Sequence, residues 1–343
     1  MGSGKKSSSK IALSGNETAH DAEHVPVKFE IGSFLSTARI FILTLLSMIA
    51  FASNSLLCRA ALKESSIDPA TFTFVRVFSG TLALWLIMSV RTMLIVNTTA
   101  TPQFDGFSSS SPVTRRSLLQ HGNWISAVAL FAYAAGFSFA YTSLSAGTGA
   151  LLLFGAVQAA MILWGLHKGE RLNTIQIVGF VVAVTGLIAL VLPGLSAPPL
   201  TGSILMLGAG VAWGVYSLRG KGERNPASVT TGNFVRAVPF AAVFSIIFAP
   251  WANYNLTGIN YAIISGAVTS GVDYVIWYSA LPGLKAASAA TVQLSVPVLA
   301  ATGGILLLGE PITLRYGLAS VAVLGGITLV VATPDSHINF SKP

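Results

Sequence analysis

Charge is scarce in this sequence. Of 343 residues, 20 are Lys or Arg and 12 are Asp or Glu, so charged residues make up 9 %, against about 25 % in an ordinary soluble protein. A globule this poor in charge could not cover its surface, which argues against a cytosolic enzyme. The 53 % of AVILMFWYC residues excludes disorder for most of the chain. Cysteine is nearly absent: Cys58 stands alone, which excludes a disulfide framework or a thiolate metal cluster. The pattern Gly-x-x-x-x-Gly-Lys-Ser/Thr is missing, so nothing points to ATP-driven work by this chain. His20, His24, His121, His167 and His337 show no zinc spacing. No nucleophile–base couple or carboxylate pair stands within an apolar stretch. No catalytic residue, cofactor or metal is therefore expected, and the protein is not read as an enzyme.

What is present is apolar sequence in long runs. Residues 1–36 stand apart as a polar segment with Lys, Ser and Glu and few apolar residues; they read as a disordered cytoplasmic tail without the pattern of a cleaved signal peptide. From Ile40 onward, stretches near the roughly 20 residues needed to cross a bilayer recur. Ten are expected, at about 40–60, 69–91, 122–142, 146–166, 172–192, 201–219, 230–250, 259–280, 286–308 and 313–332. Their Gly, Ser and Thr, as in Ser203–Gly214, let helices approach closely in lipid. The longest connection, Arg91–Gly122, is rich in Ser and Thr and reads as a linker.

The net charge of +8 is explained by topology. With the amino end inside, the inner segments carry Lys5, Lys6, Lys10, Lys28, Arg39, Arg91, Arg115, Arg116, Lys168, Arg171, Arg219, Lys221, Arg224, Lys285 and Lys342, and the outer ones only Arg59, Lys63 and Arg315. This bias places both termini in the cytoplasm, so no nucleic-acid partner is needed to account for the charge.

The chain also repeats itself. Ala146–Pro193 aligns without a gap on Ala286–Thr333 at an offset of 140, which sets Gly169-Glu170 on Gly309-Glu310 and Gly186 on Gly326. Arg59…Phe74-Val75-Arg76 falls on Arg219…Phe234-Val235-Arg236 at an offset of 160, and Tyr141 corresponds to Tyr278. Five spans per copy is an odd number, so the second copy must enter the membrane upside down, with Glu170 inside and Glu310 outside. Inverted repeats of this kind belong to secondary transporters, with a site near the midplane between the halves. The expected parts are a first repeat at 37–195 (helices 1–5), a second at 196–333 (helices 6–10) and a short carboxy-terminal tail at 334–343.

The pattern Tyr141-Thr142-Ser143-Leu144…Gly169-Glu170-Arg171-Leu172…Gln176…Gly179…Gly186, with its copy Tyr278-Ser279-Ala280-Leu281…Gln293-Leu294-Ser295-Val296-Pro297…Gly309-Glu310-Pro311…Gly326, resembles the EamA family of the drug/metabolite transporter superfamily, bacterial members above all. The resemblance covers about 40–332. It implies a ten-helix carrier with a central cavity lined mainly by helices 1, 3, 4, 6, 8 and 9, with helices 5 and 10 at the periphery. It also implies export of amino acids or related metabolites, without naming the cargo.

Ionisable groups inside a bilayer cost about 2.5–3.5 kcal/mol on insertion scales and point to function. Three stand within spans: Arg76, Arg236 and Asp273. Arg236 and Asp273 lie at similar depth, roughly 10 Å below the same face at 1.5 Å per residue, and two readings stay open. In one they form a structural ion pair while Arg76 binds helix-end carbonyls; in the other Asp273 exchanges a proton or meets a cationic group of the cargo. The neutral cavity candidates are Asn54, Tyr133, Gln158, Trp213, Tyr274, Trp277 and Gln293; the competing role for each is a helix-to-helix hydrogen bond. Pro297 frees the carbonyl near Gln293. Trp124, Trp164 and Trp251 read as interfacial anchors, Asn173 and Thr313 as helix N-caps, and Glu170 and Glu310 as turn or dipole residues.

The resulting expectation is an all-α integral membrane protein of ten transmembrane helices in two inverted five-helix repeats. It would sit in the inner membrane and export a small organic metabolite such as an amino acid by alternating access. Efflux of toxic cationic or aromatic compounds is one alternative, and a non-transporting receptor or scaffold another. The partners expected are a small-molecule substrate and the lipid bilayer, with a homodimer left open.

Overall fold

The computed structural model describes residues 28–98, 121–194, 196–221, 223, 225–284 and 286–332. Among them the regular structure is entirely helical: α1 (Lys28–Glu64), α2 (Pro69–Thr98), α3 (Trp124–Tyr141), α4 (Ala146–His167), α5 (Thr174–Val191), α6 (Leu200–Gly220), α7 (Pro226–Ile247), α8 (Leu256–Gly266), α9 (Asp273–Ala280), α10 (Ala286–Gln293), α11 (Ser295–Leu308) and α12 (Leu314–Ala332). The expected tail at 1–36 falls mostly outside the described residues, but α1 already begins at Lys28. The linker at 91–122 also falls mostly outside them, and α2 runs on to Thr98.

The starts of α2, α3, α4, α5, α7, α8 and α12 are fixed by a short polar side chain that satisfies an orphan backbone N–H. Asn123, Ser145, Asn225 and Asn255 accept from the N–H three residues on. Asn173 does so within a capping box completed by Gln176. Thr313 Oγ1 accepts from the Tyr316 N–H at 3.1 Å. Asp68 serves two roles: Oδ1 accepts from the N–H of Ala70 and Thr71 at the start of α2, and Oδ2 from Asn253 N across the bundle. The turns after α4 and α11 need a left-handed residue, and Gly169 (φ 93°) and Gly309 (φ 60°) supply it.

Nine helices among the described residues, with α10 and α11 taken together, are long and apolar enough to cross a bilayer. The stretch read as the eighth span is not among them as a single α-helix. Ala267–Val272 between α8 and α9 is a π turn, a rare element found frequently at functional sites. The hydroxyl of Ser270 donates back five residues to the Ser265 carbonyl at 3.0 Å and so takes part in the widened turn. Gly266 at its edge packs so close to α2 that a Cβ there would overlap the Arg76 carbonyl. The ninth stretch is broken as well, at Leu294, whose N–H bonds back three residues to the Thr291 carbonyl. Pro297 lacks the N–H that would continue the ladder to residue 293.

Contacts at the helix ends order the bundle. At one face Arg59 of α1, the Tyr141–Ala146 turn and Glu310 meet. At the other, Arg219 at the end of α6 reaches Asn123 and Ser126 at the start of α3, and Gln176 at the start of α5 reaches the Val330 carbonyl at the end of α12. α4, with 22 residues, spans about 33 Å at 1.5 Å per residue, which separates Glu170 at its end from Glu310 beside its start. Sequence-equivalent charges thus stand at opposite faces. α5 and α12 pack closely, with Gly179, Ala183 and Gly186 against Ala322, Val323 and Gly326. A Cβ on Gly179 would strike the Gly326 carbonyl, and one on Gly326 the Gly179 carbonyl. Lipid supplies no hydrophobic drive between helices, so contact of this closeness is what holds them. The apolar side chains turned outward, such as Phe41, Leu82, Val181, Leu306 and Val321, are those a bilayer would cover.

Candidate functional site

α1, α3, α4, α6, α9 and α10 surround a cavity of about 290 Å³. All seven neutral candidates, Asn54, Tyr133, Gln158, Trp213, Tyr274, Trp277 and Gln293, line it. Sequence reasoning missed further walls: Phe51, Phe137, Tyr216, Tyr278 and the π-turn residues Thr269 and Ser270. Tyr216 and Tyr278 carried a signal, since each lies three or four residues from a candidate and so shares its helix face.

The wall is largely an aromatic surface. Trp213 stands 4.8 Å from Tyr133, 5.3 Å from Tyr216 and 5.7 Å from Tyr274, ring centre to ring centre; Phe51 meets Trp277 edge-on at 6.1 Å. Such pairs hold one another rigidly in offset or edge-to-face geometry. The polar groups among these rings include the amides of Asn54, Gln158 and Gln293, the hydroxyls of Ser55, Ser217, Thr269 and Ser270, and Lys221 at the outer end. A concave, mostly apolar site with a few hydrogen-bonding groups is the usual form of a small-molecule pocket.

Behind this wall runs one polar chain. The buried guanidinium of Arg76 donates through Nη2 to the Tyr133 hydroxyl at 3.0 Å, and its carbon lies 4.7 Å from the Phe137 ring centre. Asn54 Nδ2 lies 3.4 Å from the same hydroxyl, while Asn54 Oδ1 accepts from Ser265 at 2.7 Å and Thr269 at 3.3 Å. The chain ties α1, α2, α3 and the π turn together. The expectation that Arg76 binds helix-end carbonyls is corrected: a phenol and an aromatic face receive it, because Tyr133 stands one turn before Phe137 on the facing helix.

Arg236 and Asp273 do not pair. Arg236 donates to the carbonyls of His121 and Gly232 and lies over the Trp124 ring at 5.9 Å, because α7 packs on α3 and turns this side chain toward its start. Asp273 is 1 % exposed, and among the described residues neither carboxylate oxygen has a hydrogen-bond partner. Similar depth did not imply a shared direction. Of the interfacial tryptophans expected, Trp124, Trp164 and Trp251 are all exposed.

The lining runs from Lys221 and Leu281 at the end of the bundle inward to Ser55 and Phe137. Past this inner end the helices are sealed. Phe137 packs edge-on to Tyr141 at 4.7 Å. One turn beyond Ser55, Arg59 Nε donates to Glu310 Oε1 at 3.0 Å, the one ion pair among the described residues. Arg59 Nη1 donates to the Tyr141 carbonyl at 2.9 Å, and Glu310 Oε2 accepts from the Ala146 N–H at 2.8 Å. Glu310, expected as a turn or dipole residue, complements the start of α4 and thereby clasps the other half. A smaller cavity of about 210 Å³ flanks this seal, between Leu144, Pro199, Glu310 and Tyr316.

A multi-pass helical bundle around a cavity that ends blind within it defines the class: an integral membrane protein of the small-molecule transporter type. Residues 200–332 match the EamA-like transporter family. An uncharacterised protein of Pseudomonas aeruginosa is 51 % identical over 294 residues, 86 % of this chain and 95 % of that one. The threonine/homoserine exporter RhtA of Salmonella typhimurium is 31 % identical over 169 residues, 46 % of this chain and 56 % of that protein, and RhtA of Escherichia coli K12 is 32 % identical over 165 residues with the same coverage. A solved crystal structure superposes with a TM-score of 0.56 at 15 % identity, over 85 % of this chain and 97 % of that one, and so shares the fold. The chain belongs to the EamA-like transporter family and is a membrane transporter.

Proposed function

We propose that the protein exports a small organic metabolite, an amino acid or a close relative, by alternating access, with the central cavity as its binding site. One observation carries the reading: a cavity that reaches one face and is sealed from the other by an interhelical ion pair. Its volume of about 290 Å³ lies at the small end of the roughly 300–1,000 Å³ of drug-sized pockets, which favours a metabolite over a bulky drug. The partial similarity to RhtA, named as a threonine/homoserine exporter, points the same way. In this reading Asn54, Gln158 and Gln293 meet the polar groups of the cargo and the rings meet its apolar part. The segment α8–π turn–α9 serves as the tenth span. The two repeats, 37–195 and 196–333, enclose the cavity in the inner membrane, with both termini in the cytoplasm.

The aromatic wall supports a second reading, efflux of cationic or aromatic compounds, since rings attract cations by about 0.5–2 kcal/mol. Counterflow in proteoliposomes against a panel of amino acids and organic cations, with and without a pH gradient, separates the two. Uptake stimulated by small amino acids supports the first reading, and stimulation by organic cations alone supports the second. The absence of flux for every compound would overturn both readings of the cargo.

A further inference from the structure

We infer that Arg219 and Glu170 form a second clasp, the counterpart of Arg59–Glu310, and that the two close in turn at opposite faces. The inference rests on the alternating-access reading and names the device that would carry it out.

The closed clasp has four parts: Arg59 at the end of the first helix of one half, the Tyr141 carbonyl, the Ala146 N–H, and Glu310 from the other half. Each part has an equivalent in the repeat. Arg59 corresponds to Arg219, Tyr141 to Tyr278, Ala146 to Ala286 and Glu310 to Glu170. Both glutamates follow a glycine in the left-handed conformation, Gly169 and Gly309, so the same turn presents each. All four equivalents stand at the face opposite the closed clasp.

There they are apart. Arg219 is exposed and donates to Ser126 and Asn123, both at 3.2 Å. The Glu170 carboxylate is exposed and makes no hydrogen bond or ion pair among the described residues. The cavity reaches the end of the bundle between the same elements, past Gly220 and Lys221 on one side and Tyr278 and Leu281 on the other. One face therefore shows the parts assembled and shut, and the other shows them separated around the mouth.

The repeats differ where movement is needed. α4 runs unbroken through Val157, the equivalent of Pro297, whereas α10 and α11 part at Leu294. The short α10 can pivot at that break to bring Ala286 toward Glu170, while release of Arg59 opens the other face. Each clasp draws the end of one half's first helix onto the turn of the other half, so closing one favours opening the other.

The test uses the full chain in proteoliposomes, with Cys58→Ala and spin labels at either of two equivalent pairs, Lys63 with Ile312 or Leu172 with Glu223. Arg59→Gln should lengthen the 63–312 distance and raise the short 172–223 population by about threefold, the scale of a partly exposed ion pair. Glu170→Gln should lower that population by a similar factor. It alters a side chain with no partner here, so the fold is not at stake. Exchange of the charges, Arg219→Glu with Glu170→Arg, should restore it. A 172–223 distribution that none of these variants moves overturns the inference, as does a short distance that grows at both faces together. The labels report without cargo, so their outcome is independent of counterflow. Flux with invariant distances would sink the second clasp and leave the transporter reading standing.

Discussion

The hydroxyl of Tyr133 is the most committed atom in the site. It receives the Arg76 guanidinium, lies beside the Asn54 amide and borders the cavity. Tyr133→Phe leaves a buried cation without its acceptor and should lower thermal stability in detergent by about 1–3 kcal/mol, the cost of an unmatched charged hydrogen bond. Gln158 and Gln293 are different, because no hydrogen bond holds either amide among the described residues. Substituting both with Ala should weaken cargo affinity about tenfold, at about 0.7 kcal/mol for each lost bond, with little change in melting temperature; a saturation curve in counterflow reads the first and a melt the second. Asp273 is buried within the bundle, and neither of its carboxylate oxygens has a hydrogen-bond partner among the described residues. If it exchanges protons during the cycle, Asp273→Asn should keep flux down a cargo gradient and lose the response to an imposed pH gradient. An unaltered pH response would remove Asp273 from coupling.

At the scale of elements, the two irregular stretches both adjoin the cavity. The π turn supplies Thr269 and Ser270 to its wall, and the break before Pro297 leaves Gln293 at the end of α10. Pro297 denies the stretch a backbone bond to residue 293 and so keeps the break from closing into one helix, a loss of stability of the kind that persists where function needs it. Pro297→Ala should raise the melting temperature and slow turnover, with counterflow rate as the measure. Faster turnover in that variant would count against a pivot at this position. These elements also show what was legible in the sequence. Span positions and the inward faces of α1, α3, α4 and α6 follow from hydropathy and helical spacing, so the neutral candidates share one cavity. The π turn contains no proline, and its glycines, Gly266 and Gly271, resemble the many glycines that pack within unbroken helices here. The direction of Arg76, Arg236 and Asp273 depends on helix rotation, which depth along the span does not determine. Arg59 and Glu310 were visible as repeated residues, but their union joins positions 251 apart in the chain, and neither copy of the repeat alone contains both partners.

On the scale of the whole molecule, the proposed ten crossings return the chain to the side where it began. A cysteine placed in residues 1–10 and one placed in residues 334–343, each in the Cys58→Ala background, should both resist an impermeant maleimide in intact cells and react once the membrane is opened. Labelling of one end alone in intact cells would contradict the two-repeat topology.

The glycine seam between α5 and α12 has a mechanical consequence. It brings backbone against backbone between one helix of each proposed half, and none of its residues lines the central cavity. Little side chain intervenes there to shear or compress. Such a joint suits a fulcrum: the halves can tilt about it as levers while the joint barely moves. Widening it by even one methyl group at Gly179 or Gly326 would pry the halves apart along their whole length.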